Sequence, residues 1–253
     1  MSLSGVTNSK LMIYNNILNK QKKKKQFFLL IDPDRYNNTT LKETIRVANN
    51  FSIDLILVGG SLVSRSVSPL IDIIKNNTDI PVVLFPGSLL QITDNADGIL
   101  LLSLISGRNP EFLIGNHVIA SPVLKRSNLE IISTGYILID NGKTPSVEYM
   151  SNTTPIPSDK IDIAVATALA GEMLGLKLIY LEGGSGAKQP VKGTMIEAVK
   201  QNVTIPLIVG GGIKNEYDAA NVYKAGADII VVGNAIESKL KMLEKIATLR
   251  DRI

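Results

Sequence analysis

The sequence has no cysteine, no tryptophan and a single histidine, His117, among 253 residues. Without cysteine there is no disulfide, no thiolate nucleophile and no cysteine-ligated metal. One imidazole also excludes any site built on several. Aromatic residues make up 5% of the chain, too few to build stacking platforms for nucleic acid. Lys plus Arg exceed Asp plus Glu by only 27 to 23, a formal charge of +4, which is too mild to recruit nucleic acid electrostatically. No run approaches the roughly 18 apolar residues of a membrane span. Residues 1–10 lack the apolar core and cleavage site of a secretory signal, so a cytoplasmic protein is expected. Chemistry must rest on carboxylates, hydroxyls, lysine or arginine, backbone amides and, where one is needed, a hard metal ion.

Hydrophobic residues supply 45% of the chain, and they are gathered in short runs rich in Leu, Ile and Val. These runs fall at 27–31, 55–58, 82–85, 99–102, 136–139, 178–181, 207–209 and 229–232. Near-continuous apolar strands of this kind suit a parallel sheet covered by helices. Helical patterns lie between several of them, at 41–50, 160–174, 194–201 and 217–225. Eight strands in this alternation predict a (β/α)₈ TIM barrel spanning 1–253 as one domain. A doubly wound open sheet would place a glycine-rich nucleotide turn after its first strand, whereas this first run ends in Asp32-Pro33-Asp34. The fifth strand is the least regular. The stretch 117–124 is apolar too, but Pro122 makes it a poor central strand. Residues 141–158, rich in Thr, Ser, Asn and Pro, read as a long loop before a helix opened by Ser158.

Active sites of such barrels gather at the carboxyl ends of the strands. There the sequence places Asp32-Pro33-Asp34, Gly59-Gly60-Ser61, Pro86-Gly87-Ser88, Ser103, Glu182 through Gly186, Gly210-Gly211-Gly212 and Gly233-Asn234. One glycine turn means little; a ring of them beside acidic groups indicates amides approaching a ligand. The turns after the last two strands match the common phosphate site of these barrels. Alternation puts Tyr180 and Glu182 on one face of their strand and Leu181 on the other. Asp32, with a hydroxyl such as that of Ser61, is either a Mg²⁺ site or a simple turn. His117 lies away from the strand ends and is expected to be structural. The run Lys22-Lys23-Lys24-Lys25 reads as a solvated helix end suited to the helix dipole, or as a weak attraction to anionic lipid. Membrane contact is thus peripheral at most.

Taken in order, these motifs resemble the geranylgeranylglyceryl phosphate synthases over nearly the whole stretch from Phe27 to Glu237. The resemblance is carried by Leu30-Ile31-Asp32-Pro33-Asp34, Val58-Gly59-Gly60-Ser61, Phe85-Pro86-Gly87-Ser88 and Thr134-Gly135-Tyr136-Ile137-Leu138. It continues through 152–160, Tyr180-Leu181-Glu182-Gly183-Gly184-Ser185-Gly186-Ala187, Val209-Gly210-Gly211-Gly212-Ile213 and 226–237. It implies a Mg²⁺-dependent prenyltransferase that joins a polyprenyl group, geranylgeranyl, from its diphosphate to the 3-hydroxyl of sn-glycerol 1-phosphate. It implies Mg²⁺ at Asp32 and Ser61. Glycerol 1-phosphate would be bound by Tyr180, Leu181, Glu182, Gly183, Gly184, Ser185 and Gly186, by Gly211 and Gly212, and by Gly233 and Asn234. Glu182 would orient the hydroxyl and accept its proton, with Tyr180 positioning the glycerol. A homo-oligomer is implied as well. Gly183 stands where the family often has Ala. Asn234 replaces a Thr hydroxyl with a carboxamide. Heptaprenylglyceryl phosphate synthases, with a shorter loop after the sixth strand, are the nearer family alternative. A phosphosugar isomerase or lyase on the same barrel would need a lysine or a paired acid and base at other strand ends; no lysine stands at one, which argues against Schiff-base chemistry. A barrel that merely binds a phosphorylated ligand would have little use for Asp32 or Glu182.

Overall fold

Strand β1 (Gln26–Ile31) pairs in parallel with β2 (Leu55–Val58) on one side and with β8 (Ile229–Val232) on the other, which closes the sheet. Between them run β3 (Val82–Leu84), β4 (Gly98–Leu104), β5 (Glu130–Leu138), β6 (Leu178–Glu182) and β7 (Leu207–Gly210), each parallel to its neighbours. The computed structural model describes residues 12–142 and 144–253; residues 1–10, read above for a secretory signal, lie outside them. The barrel is the one expected from the apolar runs, and both faces of its strands are buried. Phe28, Leu57, Val83, Ile132, Tyr180 and Ile208 fill the interior. Phe27, Leu29, Ile56, Ile137, Leu181 and Val209 pack outward against the helices. Burial on both faces removes the polar alternation of a one-sided sheet, so the strands read as unbroken apolar runs.

The helical layer comprises α2 (Asn38–Asn50), α3 (Ser68–Lys75), α4 (Asn116–Arg126), α5 (Ser146–Ser151) and α6 (Ile161–Met173), followed by α7 (Gly193–Asn202), α8 (Glu216–Lys224), α9 (Asn234–Ser238) and α10 (Lys241–Arg250). Between β3 and β4 there is only a 3-10 turn at Leu89–Gln91. That gap leaves the flank of β4 uncovered near the mouth. The helix α1 (Met12–Gln21) lies at the opposite end of the barrel, where Glu130 Oε2 and Oε1 accept the amides of Ile13 and Tyr14 at 2.7 and 2.9 Å.

Three local expectations are corrected. Residues 117–124 are neither strand nor irregular, but lie within α4, which continues a π-helical turn at Glu111–Gly115. Pro122 cannot donate to the Val118 carbonyl one turn back, and the Ser121 hydroxyl donates to that oxygen instead at 3.0 Å. Strand β5 starts at Glu130, six residues before the apolar run at 136–139, because Ser133, Thr134 and Gly135 interrupt the pattern. Residues 141–158 contain α5, and α6 begins after Ser158, which sits in a turn. Ile156 first returns to β5, donating its amide to the Leu138 carbonyl at 2.9 Å, so the chain must turn again before a helix can start. The lysine run follows α1 at the closed end. Lys22, Lys23 and Lys24 are exposed, while Lys25 is half-buried and donates to the Ala227 carbonyl at 2.7 Å. Burial lowers the Lys25 pKa, partly offset by Asp228.

Candidate active site

The carboxyl ends of the strands enclose a polar cavity. Strand β1 delivers Asp32 to it, β2 Ser61, and β6 Tyr180, Glu182, Ser185 and Gly186. From the last two strands come Gly211, Gly212, Gly233 and Asn234. Leu181, Gly183 and Gly184 do not line it. The side chain of Leu181 packs outward. The amide of Gly183 donates to the Gly210 carbonyl at 2.9 Å, and that of Gly184 to Glu182 Oε1 at 2.6 Å.

Glu182 forms the floor. The even positions of β6 face inward, which buries both Tyr180 and Glu182. In the register of the sheet Tyr136 of β5 lies opposite Tyr180, and both phenols hydrogen-bond the Glu182 carboxylate. Burial is the dominant effect and raises the Glu182 pKa to about 7; the Gly184 amide and the two phenols pull in the other direction. Tyr180 stacks on Phe85 with ring centroids 5.5 Å apart and meets Tyr136 at 5.1 Å. Three of the chain's few aromatic rings therefore fix the geometry of one carboxylate.

The β7 glycines make room for this floor. A Cβ on Gly210 would overlap the Tyr180 hydroxyl, and one on Gly211 would overlap Glu182 Oε1 and the Gly184 amide. Gly211 also holds φ +79°, a conformation that favours glycine. Across the mouth, the Asn234 carboxamide donates to the Ser185 hydroxyl at 3.3 Å, tying the β6 loop to the start of α9.

Asp32 stands on the other side, its side chain 28% exposed. Its Oδ1 accepts the Asp34 amide at 3.0 Å, and its Oδ2 lies 3.8 Å from Arg35 Nε. Gly60 packs close to this carboxylate, so the Gly60-Ser61 segment borders it. Among the described residues no three His, Asp or Glu side chains gather into a metal cluster. Asp32 and Ser61 line the same cavity, and a carboxylate with a hydroxyl suits a hard cation that keeps its waters and shares substrate phosphates. Glu237 also lines the cavity; burial raises its pKa, Arg35 lowers it and Asp32 raises it.

An apolar cavity adjoins the polar one and shares Gly60, Ser61, Phe85, Tyr136 and Val147 with it. Its further walls are Leu89, Ile92, Leu101, Leu102, Leu104 and Phe112, and it lies where only a 3-10 turn joins β3 to β4. His117 is on its wall, with Nε2 3.1 Å from Ser103 Oγ; burial lowers its pKa, and a bond to the Leu102 backbone raises it.

Sequence reasoning passed over Tyr136, Phe85, Glu237 and Lys214 as site residues. Tyr136 carried a signal, since a tyrosine near the end of one inward-facing strand can pair with Tyr180 on the next. Lys214 carried none, because it stands four residues beyond the end of β7.

Residues 19–250 match the PcrB family. A geranylgeranylglyceryl phosphate synthase of Chitinophaga pinensis is 50% identical over 93% of this chain and 94% of that protein. One from Pyrococcus furiosus is 43% identical over 92% of each. The crystal structure of (S)-3-O-geranylgeranylglyceryl phosphate synthase from Thermoplasma acidophilum, in complex with substrate sn-glycerol-1-phosphate, superposes with a TM-score of 0.89. It is 33% identical and covers 95% of this chain and 98% of that one. By the extent of these matches, and with a closed barrel that superposes on that synthase, the chain belongs to the PcrB family.

Proposed function

We propose that this protein transfers a geranylgeranyl group from its diphosphate to the 3-hydroxyl of sn-glycerol 1-phosphate, releasing diphosphate. The observation that carries the reading is the shared wall of the two cavities. A polar chamber floored by Glu182 adjoins an apolar one, with Phe85 and Tyr136 lining both. A small phosphorylated alcohol suits the first and a hydrocarbon chain the second. Their meeting point is where a bond between the two would form.

In this reading the glycine turns after β7 and β8 bind the phosphate through backbone amides. Glu182 accepts a hydrogen bond from the 3-hydroxyl and takes its proton as the ether bond forms and the allylic carbon–oxygen bond to diphosphate breaks. A group titrating near 7 is suited to accept a proton at neutral pH. Tyr180 and Tyr136 hold the carboxylate in place. Asp32 and Ser61 would hold Mg²⁺, which when bound supplies charge neutralisation for the departing diphosphate. Incubation with radiolabelled glycerol 1-phosphate, geranylgeranyl diphosphate and Mg²⁺ should yield an organic-extractable product. Binding of glycerol 1-phosphate with no product formed would instead indicate a passive barrel.

A further inference from the structure

The polar cavity is lined by four carboxylates, Asp32, Asp34, Glu182 and Glu237, and by two cations, Arg35 and Lys214. That balance repels a phosphate unless positive charge is held where the phosphate sits. Arg35 is committed to the β1 side, 3.8 Å from Asp32 and facing Glu237. Lys214, just before α8, pairs with no carboxylate among the described residues. The nearby Asp218 carboxylate is turned onto the Lys214 backbone amide, at 3.0 Å.

The Lys214 ammonium donates to the carbonyl of Lys188 at 2.9 Å. Lys188 belongs to the segment between β6 and α7, which contributes Ser185, Gly186 and Ala187 to the cavity wall. Two further contacts hold this segment. Asn141 Nδ2 donates to the Gln189 carbonyl at 3.2 Å, and the bare α-carbon of Gly212 lies against that carbonyl, leaving no space for a Cβ. Lys214 therefore fastens the β6 segment to the β7 turn from the rim of the cavity. An ammonium has three donors, and Lys188 occupies one of them.

We propose that Lys214 sets the affinity for the phosphate of the small substrate, as the uncommitted positive charge of the cavity and as the fastening of the β6 segment beside it. The inference rests on the glycerol 1-phosphate reading above. The test uses the full chain with Lys214→Gln, which can still donate to Lys188 but carries no charge, and Lys214→Arg, which keeps the charge. Calorimetry with glycerol 1-phosphate and with inorganic phosphate should show affinity about tenfold or more weaker for Lys214→Gln, and within about threefold of the parent for Lys214→Arg. In steady state the loss should fall on KM for glycerol 1-phosphate, with kcat and KM for the prenyl diphosphate within about threefold. Added salt should weaken phosphate binding more in the parent than in Lys214→Gln, because only the parent has that charge to screen. Equal phosphate affinity in the parent and Lys214→Gln would overturn the proposal, as would a loss confined to kcat. If the parent binds phosphate but forms no prenyl product, the synthase reading fails, and calorimetry still decides the role of Lys214.

Discussion

Glu182 combines two effects of burial that act in opposite directions on activity and stability. Its pKa is about 7 in the folded protein against an ordinary value of 4.5. Folding therefore binds a proton between these two pH values. Stability contributed by this group falls as pH rises from about 4.5 to about 7, and the penalty persists above that. We expect Glu182→Gln to raise the melting temperature, with a larger gain at pH 8 than at pH 5, as read by calorimetric scans at both. The same substitution removes the proton acceptor while keeping the shape and the Gly184 hydrogen bond. Its single-turnover rate at saturating substrate should fall by roughly 10²–10⁴-fold. A fall below roughly tenfold would leave Glu182 a binding residue, since a strongly cationic prenyl centre can be attacked by a neutral alcohol. Asp32 belongs to the opposite side of the cavity. Asp32→Asn should remove most Mg²⁺-supported turnover while glycerol 1-phosphate affinity, measured by calorimetry, stays within a few-fold. A large loss of that affinity would place Asp32 on the phosphate side instead.

At the scale of elements, helix α1 depends on one carboxylate from the closed end of the barrel. Glu130 is buried and accepts two amides from the first turn described for α1. Helix-start amides lack partners within the helix, and a negative charge there also suits the helix dipole. Glu130→Ala should therefore destabilise the fold by roughly 2–3 kcal/mol, read as a lower denaturation midpoint. Turnover should be spared wherever the protein stays folded, because the site is at the other end. Glu130 also shows what the sequence hides. It opens β5 six residues ahead of the apolar run that marks the strand, and a charged side chain reaching out of the barrel to cap a distant helix has no local signature. The other strands were legible because burial on both faces demanded apolar runs, and the site was legible where the strand period alone placed Tyr180 and Glu182 together. The helix at 116–126 was obscured by Pro122, whose missing donor is offset by Ser121 in a way no periodicity reveals. The gap between β3 and β4 and the adjoining apolar cavity emerged only once the chain was folded, because their walls come from segments distant in sequence: the 3-10 turn, strand β4 and the π-helical turn.

At the scale of the whole molecule, the outer helices carry more exposed hydrocarbon than an isolated barrel should. Helix α6 is apolar around most of its circumference, with Ala164 and Ala168 buried inward and Ile163 45% exposed. Met173, at its end, and Leu174, just beyond it, are 82% and 79% exposed. On α4 the side chains of Val118 and Ile119 are each 63% exposed, with Val123 also open. A helix apolar all round is ordinarily covered on every side, and clustered exposed apolar surface marks an interaction face. Among the described residues no helix is long and apolar enough to cross a membrane. The homo-oligomer that the family resemblance implies is expected to use α4 and α6 as its interface. Light scattering should report a dimer or larger assembly in solution. Ile119→Lys combined with Met173→Glu should shift it to the monomer, because an unpaired charge desolvated in an apolar contact is costly. Circular dichroism of that variant should remain that of the folded barrel, since both side chains point away from the core. A parent protein that is monomeric at micromolar concentration, or a variant that assembles as the parent does, would remove these helices from the interface.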